Sequence, residues 1–294
     1  MSELRDRRYD SGPDEVEVVL PAGDVTEGVV RVGNTVRRPH QPQSYAIAAY
    51  LDHLERQRFQ GAPRYLGLDS SGRDVLTFLE GDVAGASIED RFLGDALLAS
   101  VARLVRDLHE AADGYRPVHE PFPEPATDDT IEVVGHLDVT PQNVVVRDGL
   151  AVGLVDFDLA GETTRFRDAY NAAMHWVPLR APEDMTVGFD LTSQLRRLRI
   201  FADTSGWTIQ QRRTLPRFGA EASARSWERM RHRAENVGGG WARMWAEGVG
   251  DLIRRREQWL LANEDAIIGA LVEERPTGDA VGRGASGARG ARIR

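Results

Sequence analysis

The chain has 294 residues, 41% hydrophobic and 28% charged, which is enough for one large domain or two lobes with packed cores. Asp and Glu outnumber the basic residues 46 to 37, giving a formal charge of -9 that argues against non-specific binding to nucleic acid or anionic membrane. With no cysteine, disulfides, thiolate metal sites and cysteine nucleophiles are excluded, and with no lysine every ammonium role falls to arginine.

Residues 1–14 are polar and are expected to be disordered. They contain no apolar run of signal-peptide length, and runs such as Ala46–Leu51 are too short to span a bilayer, so a cytoplasmic protein is expected. From Glu15 the alternation of Val16, Val18 and Leu20 predicts a strand, followed by the turn chemistry of PAGDVTEG. Strands are predicted at Val29–Val32 and Thr35–Arg38 around Gly33-Asn34, ended by Pro39 and Pro42. Ile47, Tyr50, Leu51 and Leu54 place an amphipathic helix over Tyr45–Phe59. Two further strands, near Arg64–Leu68 and Asp74–Leu79, complete a small antiparallel sheet carrying one helix over residues 15–81.

Residues 82–274 form a second unit. Leu93, Leu97, Val101, Leu104, Val105 and Leu108 mark a long helix over Phe92–Ala112. A proline-rich stretch then leads to short strands at Val133–Val134, Val144–Val146 and Val152–Val155, with a turn at Asp148-Gly149. After Ala160 the chain reads as almost wholly helical, and five of its six tryptophans lie in the last third, where core packing is the expectation. Residues 275–294 are Gly/Ala/Arg-rich and expected to be disordered. Two such lobes leave a cleft between them, where ligands usually bind.

The stretch His136-Leu137-Asp138-Val139-Thr140-Pro141-Gln142-Asn143, followed by Asp156-Phe157-Asp158, carries the chemistry. Transfer of a γ-phosphoryl group needs a carboxylate to take or orient the proton of the attacking hydroxyl, and hard oxygen ligands for magnesium. Asp138 suits the first task. Asn143 and Asp156, thirteen positions apart, are joined by a strand–turn–strand that would bring them to one ion. His136 reads as a brace for this loop rather than a proton carrier.

These motifs resemble the aminoglycoside phosphotransferase and choline kinase branch of the protein-kinase-like fold. The resemblance spans most of residues 15–275 and rests on HLDVTPQN and LVDFDLAG; RFRDAYNAAMHWVPL is similar to the helix that follows in bacterial members. It implies a bilobal α+β fold with a small antiparallel-sheet N-lobe and a mainly helical C-lobe. It also implies an ATP- or GTP-dependent, Mg2+-dependent kinase with Asp138 as base, Asn143 and Asp156 on the metal, and Asp158, Arg165 and Asp168 as structural anchors. PAGDVTEGVVRV looks like the family's nucleotide loop, with Gly23, Asp24, Thr26 and Gly28 over the phosphates. Leu79, Glu80 and Gly81 look like the adenine-binding hinge. The family's phosphate-clamp lysine has no counterpart except Arg37 or Arg38, and the helix from Tyr45 has no acid in its first two turns. Leu137 stands where many members have glycine or a polar residue.

The acceptor implied is a small, cationic alcohol such as an aminoglycoside-like or amino-alcohol compound, with Glu183, Asp184 and Asp190 as candidate contacts. A peptide acceptor, or a catalytically weak nucleotide-binding scaffold, are the alternatives. The state expected is a monomer or homodimer, with no nucleic-acid or membrane partner.

Overall fold

The computed structural model describes residues 2–9, 16–20, 28–84, 92–117, 122, 130–185 and 188–273. The N-terminal sheet has five antiparallel strands in the order β1-β2-β3-β5-β4: β1 (Glu17–Val19), β2 (Val30–Val32), β3 (Thr35–Arg38), β4 (Tyr65–Leu68) and β5 (Asp74–Thr77). Gly33, at a φ of 57°, makes the tight β2–β3 turn that a side chain would strain. A short helix, α1 (Ser2–Asp6), packs nearby, and α2 (Ser44–Arg56) lies between β3 and β4 in sequence. Helix α2 buries Ile47, Tyr50, Leu51 and Leu54. It stops three residues short of the predicted Phe59, because Arg58 takes a left-handed φ of 62° and turns the chain.

The remainder is mainly helical: α3 (Asp95–Ala111), α4 (Arg165–Trp176), α5 (Leu191–Ser205), α6 (Ile209–Asn236), α7 (Gly239–Ala246), α8 (Val249–Ala262) and α9 (Glu264–Val272). Helix α3 starts later than the predicted Phe92, since Gly94 is extended and serves as its N-cap while Phe92 packs into the core. Side chains cap three of the others: Thr164 on α4, Asp190 on α5 and, in a reciprocal box with Gln211, Thr208 on α6.

Two β ribbons sit among these helices. In one, β7 (Val144–Arg147) pairs with β8 (Leu150–Leu154) through Asp148-Gly149, both at positive φ as a type I′ turn requires. In the other, β6 (Val133–Gly135) pairs with β9 (Gly161–Thr163). Strand β9 is a short exception to the almost wholly helical character expected after Ala160: three residues pair with a strand far upstream before helix begins. A single apolar cluster runs from Ala46 and Tyr50 through Leu98, Leu108 and Phe157 to Leu260 and Leu271, so one core supports both lobes. Within it the Tyr50 hydroxyl donates to the Val134 carbonyl at 2.6 Å, fastening α2 to the strand that leads into the site. No described helix is long and apolar enough to cross a membrane.

Candidate active site

The chain leaves β6 at Gly135 and runs through His136–Thr140 into a 3-10 turn, Pro141–Asn143, that opens β7. Three features hold this loop. His136 is fully buried; its Nε2 lies 2.9 Å from the Val155 carbonyl and its Nδ1 accepts the Asp138 N–H at 3.3 Å. Those two bonds require a proton on Nε2 and a bare Nδ1, so the ring is neutral, in keeping with a pKa lowered chiefly by burial. Asp168 of α4, also fully buried, accepts from the backbone N–H of His136 (3.1 Å) and Leu137 (2.6 Å) and pairs with His109 Nε2 (2.8 Å). Burial raises the Asp168 pKa, but the His109 hydrogen bond and the backbone donor outweigh it and keep the group below the ordinary carboxylate range. One turn further along α4, Asn171 Oδ1 takes the Val139 N–H (3.0 Å), and Trp176 Nε1 donates to the Val139 carbonyl (3.0 Å). Gly135 is required where Asp168 packs, since a Cβ there would come within 2.7 Å of its carboxyl carbon.

Asp138 therefore projects from a loop whose backbone is pinned on both sides. Asn143 Nδ2 donates to the Asp138 carboxylate (2.7 Å) and to its carbonyl (3.0 Å), which leaves the amide oxygen for another partner. Across the β7–β8 ribbon the Asn143 carbonyl accepts the Val155 N–H at 2.9 Å, so Asp156 follows beside Asn143. Asp156 adopts a left-handed conformation (φ 61°, ψ 67°) at the start of a second 3-10 turn, Phe157–Leu159. Its Oδ1 is buried without a hydrogen bond, and its pKa is pushed up to about 6, by burial first and by the neighbouring Asp158 next, against the pull of Arg38.

The two candidate clamp residues point to opposite faces of β3, as strand alternation demands. Arg37 is buried away from the site, against Asp69 (3.8 Å), Thr35 and the Tyr9 ring. Arg38 pairs with Asp158 through both carboxylate oxygens and approaches Asp156 Oδ1 at 3.7 Å. A carboxylate from the Asp-Phe-Asp segment thus supplies the partner that the α2 helix lacks.

The other sequence candidates are spread more widely. The backbone of Leu79, Glu80 and Gly81 makes no hydrogen bond to another described residue, while Glu80 is held by Arg31 at 2.7 Å. Gly81 packs so closely on β7 that a Cβ would lie 2.6 Å from Val145, and the paired hydrogen bonds of Asp82 with Val146 anchor the segment. Gly28 has a φ of 79°; Gly23, Asp24 and Thr26 lie outside the described residues. Arg165, on the surface, bonds Asp113 and Glu132.

A cavity of about 150 Å³ opens beside the loop, walled by Leu137, Leu159, Tyr170, Asn171 and Arg256 among others. Glu183, Asp184 and Asp190 do not line it. Asp184 is gripped by Arg255 and Asp190 is spent on the α5 cap, so sequence charge alone was a poor guide to their positions. Sequence reasoning missed His109, Asn171 and Trp176; the three-residue spacing of Asp168 and Asn171 on one helix face was the available signal.

No family model matches the sequence. A trifolitoxin immunity protein from Rhizobium leguminosarum bv. trifolii is 30% identical over 208 residues, 67% of this chain and 76% of that protein. The chain belongs to that protein's family. Its fold is that of the choline kinase and aminoglycoside phosphotransferase structures, in line with the motif resemblance. A choline/ethanolamine kinase family protein from Mesorhizobium loti superposes with a TM-score of 0.59 at 14% identity, over 92% of this chain and 97% of that one. The gentamicin–APH(2″)-IIa complex gives 0.50 at 12% identity, over 84% and 93%.

Proposed function

We propose that the protein is a phosphotransferase that moves the γ-phosphoryl group of ATP to a hydroxyl of a small molecule. The observation that carries this reading is the Asp138–Asn143 contact, set across one hairpin from an Asp156 oxygen that is buried and unsatisfied. Asp138, oriented by the Asn143 amide, takes the proton of the acceptor hydroxyl. The new O–P bond forms at the γ-phosphorus as the bond to the β,γ-bridging oxygen breaks, and ADP leaves.

The donor set fits magnesium. Among the described residues no three acidic or histidine side chains converge into an all-protein cage, yet an orphaned carboxylate oxygen next to a neutral amide is a hard-oxygen pair of the kind Mg2+ would take. Asp156 and the Asn143 amide oxygen would hold it, and when bound it would offset the charge of the phosphates. Arg38 takes the clamp role on the phosphates, with Asp158 fixing its guanidinium. The unpaired backbone of Leu79–Gly81 would read the adenine edge.

The relative's name supports a second reading, immunity to a toxin, which the same chemistry would serve if the toxin carried the accepting hydroxyl. The test is phosphate addition read by mass spectrometry, with ATP and Mg2+, over a panel of small alcohols and trifolitoxin. Asp138→Asn should lower turnover roughly 10³-fold with ATP binding intact. Equal turnover by the variant would remove the assignment, and a phosphorylated toxin would favour the second reading.

A further inference from the structure

The cavity beside the catalytic loop carries a charge pattern opposite to that expected for a cationic acceptor. It is bounded by Leu137, which precedes Asp138, and by Asn171, which holds the Val139 N–H, so its wall adjoins the catalytic loop. Among the described residues four arginines line it, Arg167, Arg229, Arg233 and Arg256, against one carboxylate, Glu162. Arg167 and Arg233 lie over the Phe218 and Trp241 rings, contacts that position each guanidinium.

Arg256 is the decisive residue. It is 5% exposed, no carboxylate lies within 4 Å of it among the described residues, and its one hydrogen bond goes to the Met174 sulfur. Its Nε has no hydrogen-bond partner among the described residues. Burial pulls the Arg256 pKa down to about 10, the mark of a cation lacking compensation. A buried guanidinium is ordinarily paired, because an isolated charge away from water is costly. At about 150 Å³ the cavity has room for roughly five waters, the scale of a metabolite of about six or seven heavy atoms.

We infer that this cavity is an acceptor site for an anionic hydroxyl compound, one whose carboxylate or phosphate group pairs with Arg256 while its hydroxyl reaches Asp138. The inference rests on the phosphotransferase reading for its hydroxyl chemistry, and on Arg256 and the cavity for its charge.

The test uses the full-length protein and four three-carbon alcohols that differ at one end: D-glycerate, glycerol 3-phosphate, glycerol and 3-amino-1,2-propanediol. Binding is measured by calorimetry at millimolar concentration, and phosphorylation by mass spectrometry with ATP and Mg2+. The anionic pair should bind, and be phosphorylated, at least about tenfold better than the neutral and cationic members. Arg256→Met should weaken anion binding roughly tenfold to hundredfold with ATP binding unchanged, and Arg256→Lys should restore part of it. Because Met removes an uncompensated buried charge, the thermal midpoint of Arg256→Met should hold or rise, so loss of binding cannot be ascribed to unfolding. The two anions distinguish carboxylate from phosphate recognition. Preference for the amine, no binding of either anion, or anion binding indifferent to Arg256→Met would each overturn the inference. Arg256-dependent anion binding without phosphate transfer to any member would instead count against the phosphotransferase reading and leave the anion site standing.

Discussion

The catalytic loop and strand β3 both present side chains to the Asp-Phe-Asp segment, but they are secured in different ways. The loop is held at every step: Asp168 takes two successive backbone N–H groups, Asn171 the next but one, His136 spans to Val155, and Asn143 fixes the Asp138 carboxylate. Strand β3 contributes one long side chain, Arg38, whose position depends on Asp158 and Asp156 across 120 residues of sequence. Redundant local bonds preorganise the base, whereas the clamp is an ion pair that a polyphosphate can compete for. The difference separates the part of the site that must be rigid from the part that must exchange partners with each substrate.

The largest effect should follow from loosening the rigid side. Asp168→Asn keeps the shape but removes a buried anion that serves three donors, so it should cost about 3 kcal/mol or more, read as a fall in the urea midpoint. In whatever folded protein remains, kcat should fall roughly 10²-fold with little change in ATP affinity, because Asp138 is then misplaced rather than absent. A fall in ATP affinity with unchanged kcat would break the contrast between loop and clamp.

The adjacent arginines of β3 sharpen it next. Arg38→Ala should weaken nucleotide binding roughly tenfold to hundredfold, and because it also strips Asp158 of its guanidinium partner it should cost about 3 kcal/mol of stability. Arg37→Ala should leave nucleotide binding near the parent value: it removes one partner of the buried Asp69, costing about 3 kcal/mol at most because Arg73 and two backbone donors remain. Calorimetric ATP titrations beside denaturation curves separate the two. Matching losses of nucleotide affinity in the two variants would mean that the strand does not sort its faces as the geometry requires.

What was legible in the sequence follows the same division. Asp138, Asn143 and Asp156 could be brought together on paper because one Asp-Gly hairpin joins them, and hairpin geometry is local. The choice between Arg37 and Arg38 was not legible, since it depends on which face of β3 meets Asp158, a register set by tertiary pairing. Strand β9 is not legible for a related reason: its three residues have no period to detect, and their partners in β6 lie far upstream, Val133 opposite Thr163 and Gly135 opposite Gly161. For Glu183, Asp184 and Asp190 the sequence shows only the sign of the charge, which carries no direction; Arg255 and a helix N-terminus claim two of them. The cationic wall of the cavity comes mainly from α6 and α8, which only the tertiary packing brings together.

Asp156 offers a pH test of smaller size. Its carboxyl binds a proton more tightly in the folded chain, at about pH 6, than its ordinary value near 4 would allow unfolded. Its contribution to stability is therefore complete below about pH 4 and lost as pH rises through about 6. In metal-free, nucleotide-free protein, Asp156→Asn should remove that part of the decline, so the gap in thermal midpoint between variant and parent should open between pH 4 and 6 in favour of Asn. A gap independent of pH over that range would show that the carboxyl titrates normally.

The smallest effect concerns Leu137, which sits between the brace and the base at a φ of 60°. A leucine there opposes the steric preference of an L-residue by about 1 kcal/mol, and the hydrogen bond from its N–H to Asp168 holds it in place. Glycine would relieve that strain but would also remove a side chain from the cavity wall and free the unfolded chain, so Leu137→Gly should change stability by no more than about 1 kcal/mol in either direction. The informative control is Leu137→Ala, which loses the side chain and keeps the strain. If the loop is rigid enough to enforce the left-handed turn, Gly should be more stable than Ala by about 1 kcal/mol in urea titrations. Ala equal to or above Gly would mean that the loop relaxes to a right-handed turn when it can, and that the bonds to Asp168 and Asn171 hold the base less firmly than their geometry implies.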